Sequence, residues 1–341
     1  MKAYVSMPKN ANFPTFFTEE NLALAKTLGD FTFCESETEL SPEEVAKVID
    51  KDTEVYITAW DSPRLDKSIL DAAPNIKLMV HLCGTVAPFV TDEVFLRGVR
   101  VICGNDMFAE SVAEGTVGYI LAALRDIPRF SYRYKYDKIW RAPGDFNRGL
   151  IGKTVGLVSY GAIARHLVRM LQPFRVNIKV YDIKPLPEED KKRYGLTEAG
   201  LEEIFSSCDI VSLHTPLYEK TYHMVGEELL SKIRDGALFI NTSRGKIVDQ
   251  PALERELAKG RFNALLDVYE VEPLPDDNPM REMDNVILMP HMAGPTVDFR
   301  KDITKTLLLE AAAFMRGEVD LIHEVSHAAA SVMTREDPLK K

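Results

Sequence analysis

Apolar residues fall along this chain in two alternating patterns. Short uninterrupted runs read as buried parallel strands at residues 3–5, 55–57, 77–82, 99–102, 155–158, 178–181, 209–213, 237–241, 264–267 and 286–288. Between them, spacing near 3.6 predicts helices at 19–28, from 42 onward, 65–72, 91–97, 162–171, 251–259 and 296–316. Their ends carry ordinary punctuation: Ser41 and Pro42 open one helix, Gly29 and Gly260 stop two others, and Pro173 closes a fourth. Strands that alternate with helices imply an α/β fold, a parallel sheet with helices on both faces. The stretch 109–124 is apolar or small nearly all round and ends before Pro128, so it is expected to be buried in a core or between subunits. The tail from Ser331 is expected to fray.

The run from Thr154 to Asp182 changes the picture most. A strand is followed by Ser159-Tyr160-Gly161-Ala162-Ile163-Ala164, a helix, a second strand and then Asp182. An acid about 20 residues past a glycine turn in that context is a dinucleotide fingerprint. Backbone N–H groups at the helix start would meet a pyrophosphate. Asp182 would accept from the adenosine ribose hydroxyls and repel a 2′-phosphate, which favours NAD over NADP. Ser159 stands where the first glycine of the pattern belongs, and Ala164 where the third does.

With 341 residues the chain has room for two domains, and its net charge of −10 argues against a general polyanion binder. The basic and aromatic run 129–141 is therefore read as a solvated or subunit-contacting face, not a nucleic-acid site. Cys34, Cys83, Cys103 and Cys208 lack metal-type spacing and read as reduced, buried thiols of a cytoplasmic protein. No metal is expected, no segment reads as long enough to span a membrane, and the N-terminus lacks a signal peptide's apolar core.

In open parallel sheets, ligands sit outside the carboxyl ends of the strands. Arg244, Asp267, Glu272 and His291 each follow such an end, as does the run His214-Thr215-Pro216. An arginine, a glutamate and a histidine converging on a nicotinamide suit hydride transfer to a 2-keto acid. Arg244 offers a planar fork for a carboxylate and its neighbouring carbonyl. His291 carries the proton, and Glu272 beside it favours the protonated ring.

Several ordered motifs resemble the D-isomer-specific 2-hydroxyacid dehydrogenases: 241–249 (NTSRGKIVD), 267–273 (DVYEVEP), 285–294 (NVILMPHMAG), 110–114, 152–156 and 214–217. The resemblance implies a Rossmann NAD-binding domain over 104–292. It also implies a smaller flavodoxin-like substrate domain, made of 1–103 plus 293–341, with a cleft between them. It implies Arg244, Glu272 and His291 as the catalytic three, and Asp267 on the nicotinamide amide. Ser159, Tyr160, Gly161, Ala162, Ile163, Asp182, His214, Thr215, Pro216, Thr242, Ser243 and Gly294 would line the cofactor. It further implies a homodimer with the 109–124 helix in its interface.

Two departures stand out. One is Ser159. The other is 83–90, CGTVAPFV, where the family usually has Gly-x-Gly followed by Asp-Asn-Ile-Asp. Backbone N–H groups near Gly84 and Thr85 are still expected to bind the substrate carboxylate. Phosphoglycerate dehydrogenases usually carry Arg-Ser where this chain has Trp60-Asp61, which speaks against a phosphorylated substrate. A dinucleotide-sensing corepressor, a phosphoglycerate dehydrogenase and a member that binds NAD poorly because of Ser159 are the alternatives.

Overall fold

The computed structural model describes residues 1–334, so the expectation of fraying at 335–341 lies outside the described residues. Ser331 itself closes a short helix, His327–Ser331, instead of starting a frayed end.

The described chain divides into two compact units, one of residues 1–108 with 295–334, the other of residues 109–294. The first holds a five-stranded sheet of order β2-β1-β3-β4-β5, with β1 at Lys2–Val5, β2 at Asp30–Phe33, β3 at Val55–Thr58, β4 at Leu78–His81 and β5 at Arg100–Cys103. All its pairings are parallel. This is the flavodoxin-like order. β3 and β4 are buried along their whole length, which is why they read as unbroken apolar runs. The helix Val297–Met315 packs Ile303, Leu307 and Ala311 against Val5, Ile57 and Val80 of that sheet. Ser41 caps the helix Pro42–Val48 and Glu44 returns the bond to the Ser41 N–H, a reciprocal pair that fixes the helix start.

The second unit is a seven-stranded parallel sheet of order β12-β11-β10-β9-β6-β7-β8. Its strands are β6 (Thr154–Val158), β7 (Asn177–Tyr181), β8 (Leu196–Glu198), β9 (Ile210–Leu213), β10 (Leu238–Asn241), β11 (Asn263–Leu266) and β12 (Val286–Leu288). The order reverses between β6 and β9, the switch point at which doubly wound folds bind dinucleotides. One apolar layer lies on each face.

One sequence expectation, that no segment is long enough to span a membrane, is corrected here. The helix Asn105–Leu124 is long and apolar enough to cross a membrane by length and composition. Its Ala113, Ile120 and Leu124 pack against Val155, Leu157 and Ile240. It is also not buried all round: Val112, Val117, Leu121 and Ala122 are half-buried and Gly118 is exposed. The stretch after it forms a helix, Ile127–Tyr132, and a wider turn, Arg133–Asp137, which leave Tyr132, Tyr134, Tyr136 and Trp140 exposed.

Candidate active site

The turn after β6 is shaped by a strained serine. Ser159 has φ 77°, the left-handed region a glycine would take freely, so it supplies the missing glycine's geometry at a steric cost. Its N–H donates to the Tyr181 carbonyl at 2.7 Å, and its hydroxyl stands 2.9 Å from that of Thr215. That bond ties the turn to the loop after β9 across the switch point. Gly161 then caps the helix Ala162–Leu171, and no atom lies within 4 Å of the place a Cβ would occupy there. The first N–H groups of a helix have no intrahelical acceptor, which makes this start a donor set for a phosphate.

At the end of β7, Asp182 accepts from the Tyr160 N–H at 2.7 Å with one oxygen and from the Lys184 N–H at 2.9 Å with the other. A cavity of about 470 Å³ adjoins it, lined by Tyr181, Ile183, Lys184, Gly200 and Glu203. An open helix start, a carboxylate at the next strand's end and a cavity beside it are the parts a dinucleotide requires, and these residues fit one. His214, buried and 3.0 Å from the Ser212 hydroxyl, is held neutral, its pKa pushed down to about 4 by burial. The Pro216 carbonyl accepts from the Thr221 hydroxyl at 2.7 Å, which fixes the rest of that loop.

Arg244, Glu272 and His291 come together past β10, β11 and β12. Asn241, the last residue of β10, builds the arginine's turn. Its Oδ1 accepts from the Ser243 N–H at 3.0 Å and hydroxyl at 2.7 Å, and its Nδ2 donates to the Arg244 carbonyl at 3.0 Å. Gly245 follows because a Cβ there would fall 1.8 Å from the Tyr269 carbonyl carbon, so only glycine lets this turn meet the Tyr269–Glu270 backbone. Thr242 is buried, its hydroxyl 3.3 Å from that of Thr116.

Glu272 accepts from the Tyr269 N–H at 3.0 Å, and its other oxygen lies 2.8 Å from His291 Nδ1. Burial works to raise its pKa, but the bonds from His291 and Tyr269 and the nearby charge of Arg244 outweigh that and hold it below the usual glutamate range. His291 also sits in the left-handed region, at φ 56°. Its N–H donates to the Asp267 carbonyl at 2.9 Å. With Nδ1 turned to Glu272, the exposed ring's Nε2 is the atom left to meet a substrate.

Asp267 is 1% exposed and its carboxylate accepts from the Met292 N–H at 2.7 Å, the Ala293 N–H at 2.9 Å and the Tyr119 hydroxyl at 3.1 Å. It is the clamp that holds the histidine loop. Gly294 ends that loop, where a Cβ would come within 2.9 Å of the Val112 backbone nitrogen. Tyr119 and Asn241 were not singled out from the sequence. Nothing local marks Tyr119, whose partner lies 148 residues away. Asn241 carried a signal, a polar residue ending a buried strand just before Thr-Ser-Arg.

Gly84 and Thr85 belong to the other unit, after β4. The Thr85 hydroxyl donates to the Thr334 carbonyl at 3.1 Å. In the same unit His81 is wholly buried, 2.8 Å from the Thr58 hydroxyl and with its ring centroid 4.3 Å from that of Phe89. Burial pushes its pKa down to about 3.

Residues 117–293 match the family model of the D-isomer specific 2-hydroxyacid dehydrogenase NAD-binding domain. The chain is 35% identical over 260 residues to a glyoxylate reductase of Thermofilum pendens, covering 75% of this chain and 77% of that protein. It is 29% identical to a hydroxypyruvate reductase of Thermotoga maritima, over 77% of this chain and 85% of that one. Among solved structures, the TT0316 protein of Thermus thermophilus superposes with a TM-score of 0.75 at 25% identity, over 96% of this chain and all of that one.

Proposed function

The chain belongs to the D-isomer specific 2-hydroxyacid dehydrogenase family and is an NAD-dependent oxidoreductase, and from that premise we propose that Arg244, Glu272 and His291 interconvert a small 2-keto acid and its D-2-hydroxy acid. The observation that carries this assignment is the 2.8 Å contact between His291 Nδ1 and Glu272, with Arg244 close enough for its charge to act on the same carboxylate.

When bound, NADH supplies the hydride. Ser159, Gly161, Ala162 and Ile163 would hold its pyrophosphate on backbone donors, and Asp182 its adenosine ribose. The Arg244 fork grips the substrate carboxylate and carbonyl oxygen, and its fixed charge stabilises that oxygen as negative charge grows there. His291 Nε2 delivers a proton to the same oxygen in reduction and takes it back in oxidation. Glu272 fixes the ring through Nδ1, so Nε2 is the nitrogen that exchanges the proton. Asp267 keeps the histidine loop in place and, with Thr242, Ser243, His214, Thr215, Pro216 and Gly294, forms the nicotinamide end of the site. Gly84 and Thr85, in the unit assigned to substrate, offer backbone N–H groups to its carboxylate.

A homodimer and a cytoplasmic place complete the reading. The half-buried apolar face of Asn105–Leu124 and the exposed Tyr132, Tyr136 and Trp140 support a subunit contact, and four free, buried thiols support a reducing compartment. The test is NADH oxidation with glyoxylate, hydroxypyruvate and bulkier 2-keto acids, together with the sedimentation mass. Failure of every 2-keto acid to oxidise NADH overturns the catalytic reading, and a monomer at micromolar concentration overturns the dimer.

A further inference from the structure

Arg300 lies in the first turns of the helix Val297–Met315 and is half-buried without an acidic partner among the described residues. Its Nη1 donates to Asn12 Oδ1 at 3.3 Å and to the Thr15 hydroxyl at 3.2 Å, and its Nε to the Pro295 carbonyl at 3.4 Å. Every one of these acceptors is neutral. Two other partly buried arginines differ: Arg133 reaches Asp145, and Arg261 reaches Glu256 and Asp235. Charged groups taken out of water are ordinarily paired, so an uncompensated guanidinium marks a place where an anion is missing.

What surrounds that charge points to a ligand pocket. The guanidinium carbon stands 4.5 Å from the centroid of the Trp60 ring and 5.8 Å from that of Phe16. The Trp60 ring meets Phe16 and Phe108 edge-on, at 5.2 and 6.1 Å. Phe108 in turn lies 3.5 Å from where a Cβ on Gly84 would be. The Trp60 backbone hydrogen-bonds Cys83, the residue directly before Gly84 and Thr85. Trp60 follows β3 and Gly84 follows β4, so the guanidinium, the rings and the loop share the carboxyl edge of the five-stranded sheet, where ligands of such sheets sit. The adjacent Asp61 is engaged by Asn10 Nδ2 at 2.9 Å.

We propose that Arg300 and Trp60 form the subsite for the far end of the substrate, and that this subsite selects a 2-keto acid carrying a second carboxylate. This rests on the reading above, in which Gly84 and Thr85 take the first carboxylate. The rings of Trp60 and Phe108 cover the methylenes between the two ends, and the Arg300 fork receives the second carboxylate in the planar geometry it matches. One guanidinium balances one carboxylate. A phosphate, which carries about −1.5 to −2 charge, is left under-compensated.

The experiment compares kcat/KM with NADH for oxaloacetate, 2-oxoglutarate, 2-ketobutyrate, glyoxylate and 3-phosphohydroxypyruvate in the wild type, Arg300→Met and Arg300→Lys. Arg300→Met keeps the apolar stem on Trp60 and removes only the charged fork. The expected result is a wild-type preference for one of the two dicarboxylates over 2-ketobutyrate of at least about tenfold, the order of a hydrogen bond to a charged group. Arg300→Met should erase that preference through KM, and Arg300→Lys should restore part of it. A wild type that favours 2-ketobutyrate, glyoxylate or the phosphorylated acid overturns the proposal. So does an Arg300→Met variant whose efficiency falls equally for all five substrates with a lower melting temperature, since that is the mark of a residue that only ties its helix to Asn12 and Thr15. Absence of turnover with any 2-keto acid is a different result and strikes the catalytic assignment instead.

Discussion

The hydroxyls of Ser159 and Thr215 stand 2.9 Å apart across the reversal in strand order, and Ser159 makes that bond from a left-handed backbone at φ 77°. A left-handed non-glycine residue costs about 1–2 kcal/mol. Ser159→Gly relieves that strain but gives up the hydroxyl bond, about 0.5–1.5 kcal/mol, and frees the unfolded chain by about 0.4–1 kcal/mol. The terms nearly cancel, so urea unfolding should place Ser159→Gly within about 1 kcal/mol of the wild type. Ser159→Val keeps the strain, worsens it by β-branching and loses the bond, so it should be less stable by roughly 2 kcal/mol or more. A Val variant as stable as the wild type would show that the turn does not need this backbone.

Asp182 offers two oxygens, each already held by a backbone N–H, from Tyr160 and Lys184. Its carboxylate is therefore fixed where a ribose would lie, and a 2′-phosphate would meet it charge to charge. NADH should be preferred over NADPH in kcat/KM by about a hundredfold or more, the order of two to three kcal/mol for such a contact. Asp182→Ala should narrow the ratio mainly by weakening NADH. Lys184 lies next to the cavity and offsets part of the repulsion, so Lys184→Ala should widen the ratio. Equal efficiency with the two cofactors in the wild type would refute the assignment.

Two buried histidines make stability depend on pH. His81 and His214 are held neutral, at about 3 and about 4 against 6.5 for a free histidine. Both folded values are depressed, so the unfolded chain takes up protons first. Their contribution is complete above about pH 6.5. It is lost as the pH falls below that value, by up to about 1.4 kcal/mol per pH unit for each residue. Unfolding free energies between pH 7 and 4.5 measure this before most carboxylates titrate. His214→Gln and His81→Gln should each flatten the slope by about one proton's worth, and an unchanged slope in both would show that neither ring is kept neutral by the fold.

The parts of this molecule that could be read from the sequence are those whose cause is local. The reciprocal cap of Ser41 and Glu44 is visible as a spacing of three. The fully buried strands β3, β4, β9 and β10 are visible as apolar runs. β2 and β8 lie at sheet edges, with exposed and half-exposed residues, so no apolar run announces them. The order of motifs made Arg244, Glu272 and His291 nameable, because strand ends converge in a parallel sheet. The left-handed backbone of His291, the reach of Tyr119 to Asp267 and the unpaired charge of Arg300 were not legible. Each depends on chain segments that meet only when the fold is complete.

Arg244 stands on a turn that Asn241 fixes through three hydrogen bonds and that Gly245 seats against Tyr269. Its position is thus set before substrate arrives, which is what preorganised charge stabilisation requires. Arg244→Ala should lower kcat by about 10²–10³-fold, as for loss of one oxyanion donor, while NADH affinity by fluorescence titration stays within about threefold. Arg244→Lys should recover little, because a point charge cannot reproduce the fork. Asn241→Ala should give a smaller loss, since it loosens the turn without removing the charge. Normal kcat in Arg244→Ala would remove this residue from the mechanism.

The contact of 2.8 Å between His291 Nδ1 and Glu272 holds the ring in the orientation the reaction uses in each direction. Glu272 is held below the usual glutamate range, so it is ionised across the neutral region and its charge faces the ring throughout. The attraction acts on the imidazolium and not on the neutral imidazole. Reduction of a keto acid consumes a proton from His291 and therefore needs the charged ring, whereas oxidation needs the neutral ring. Glu272→Gln keeps the shape and one hydrogen bond but removes the charge, so the imidazolium loses its support. Glu272→Gln should therefore lower kcat of reduction more than that of oxidation, by about tenfold, the order of a hydrogen bond to a charged group. His291→Ala should be far more damaging than Glu272→Gln at every pH, because the proton carrier itself is gone. Turnover of the wild type and Glu272→Gln in both directions decides the matter. Full activity of Glu272→Gln in both directions would reduce Glu272 to a residue that merely bonds the Tyr269 backbone.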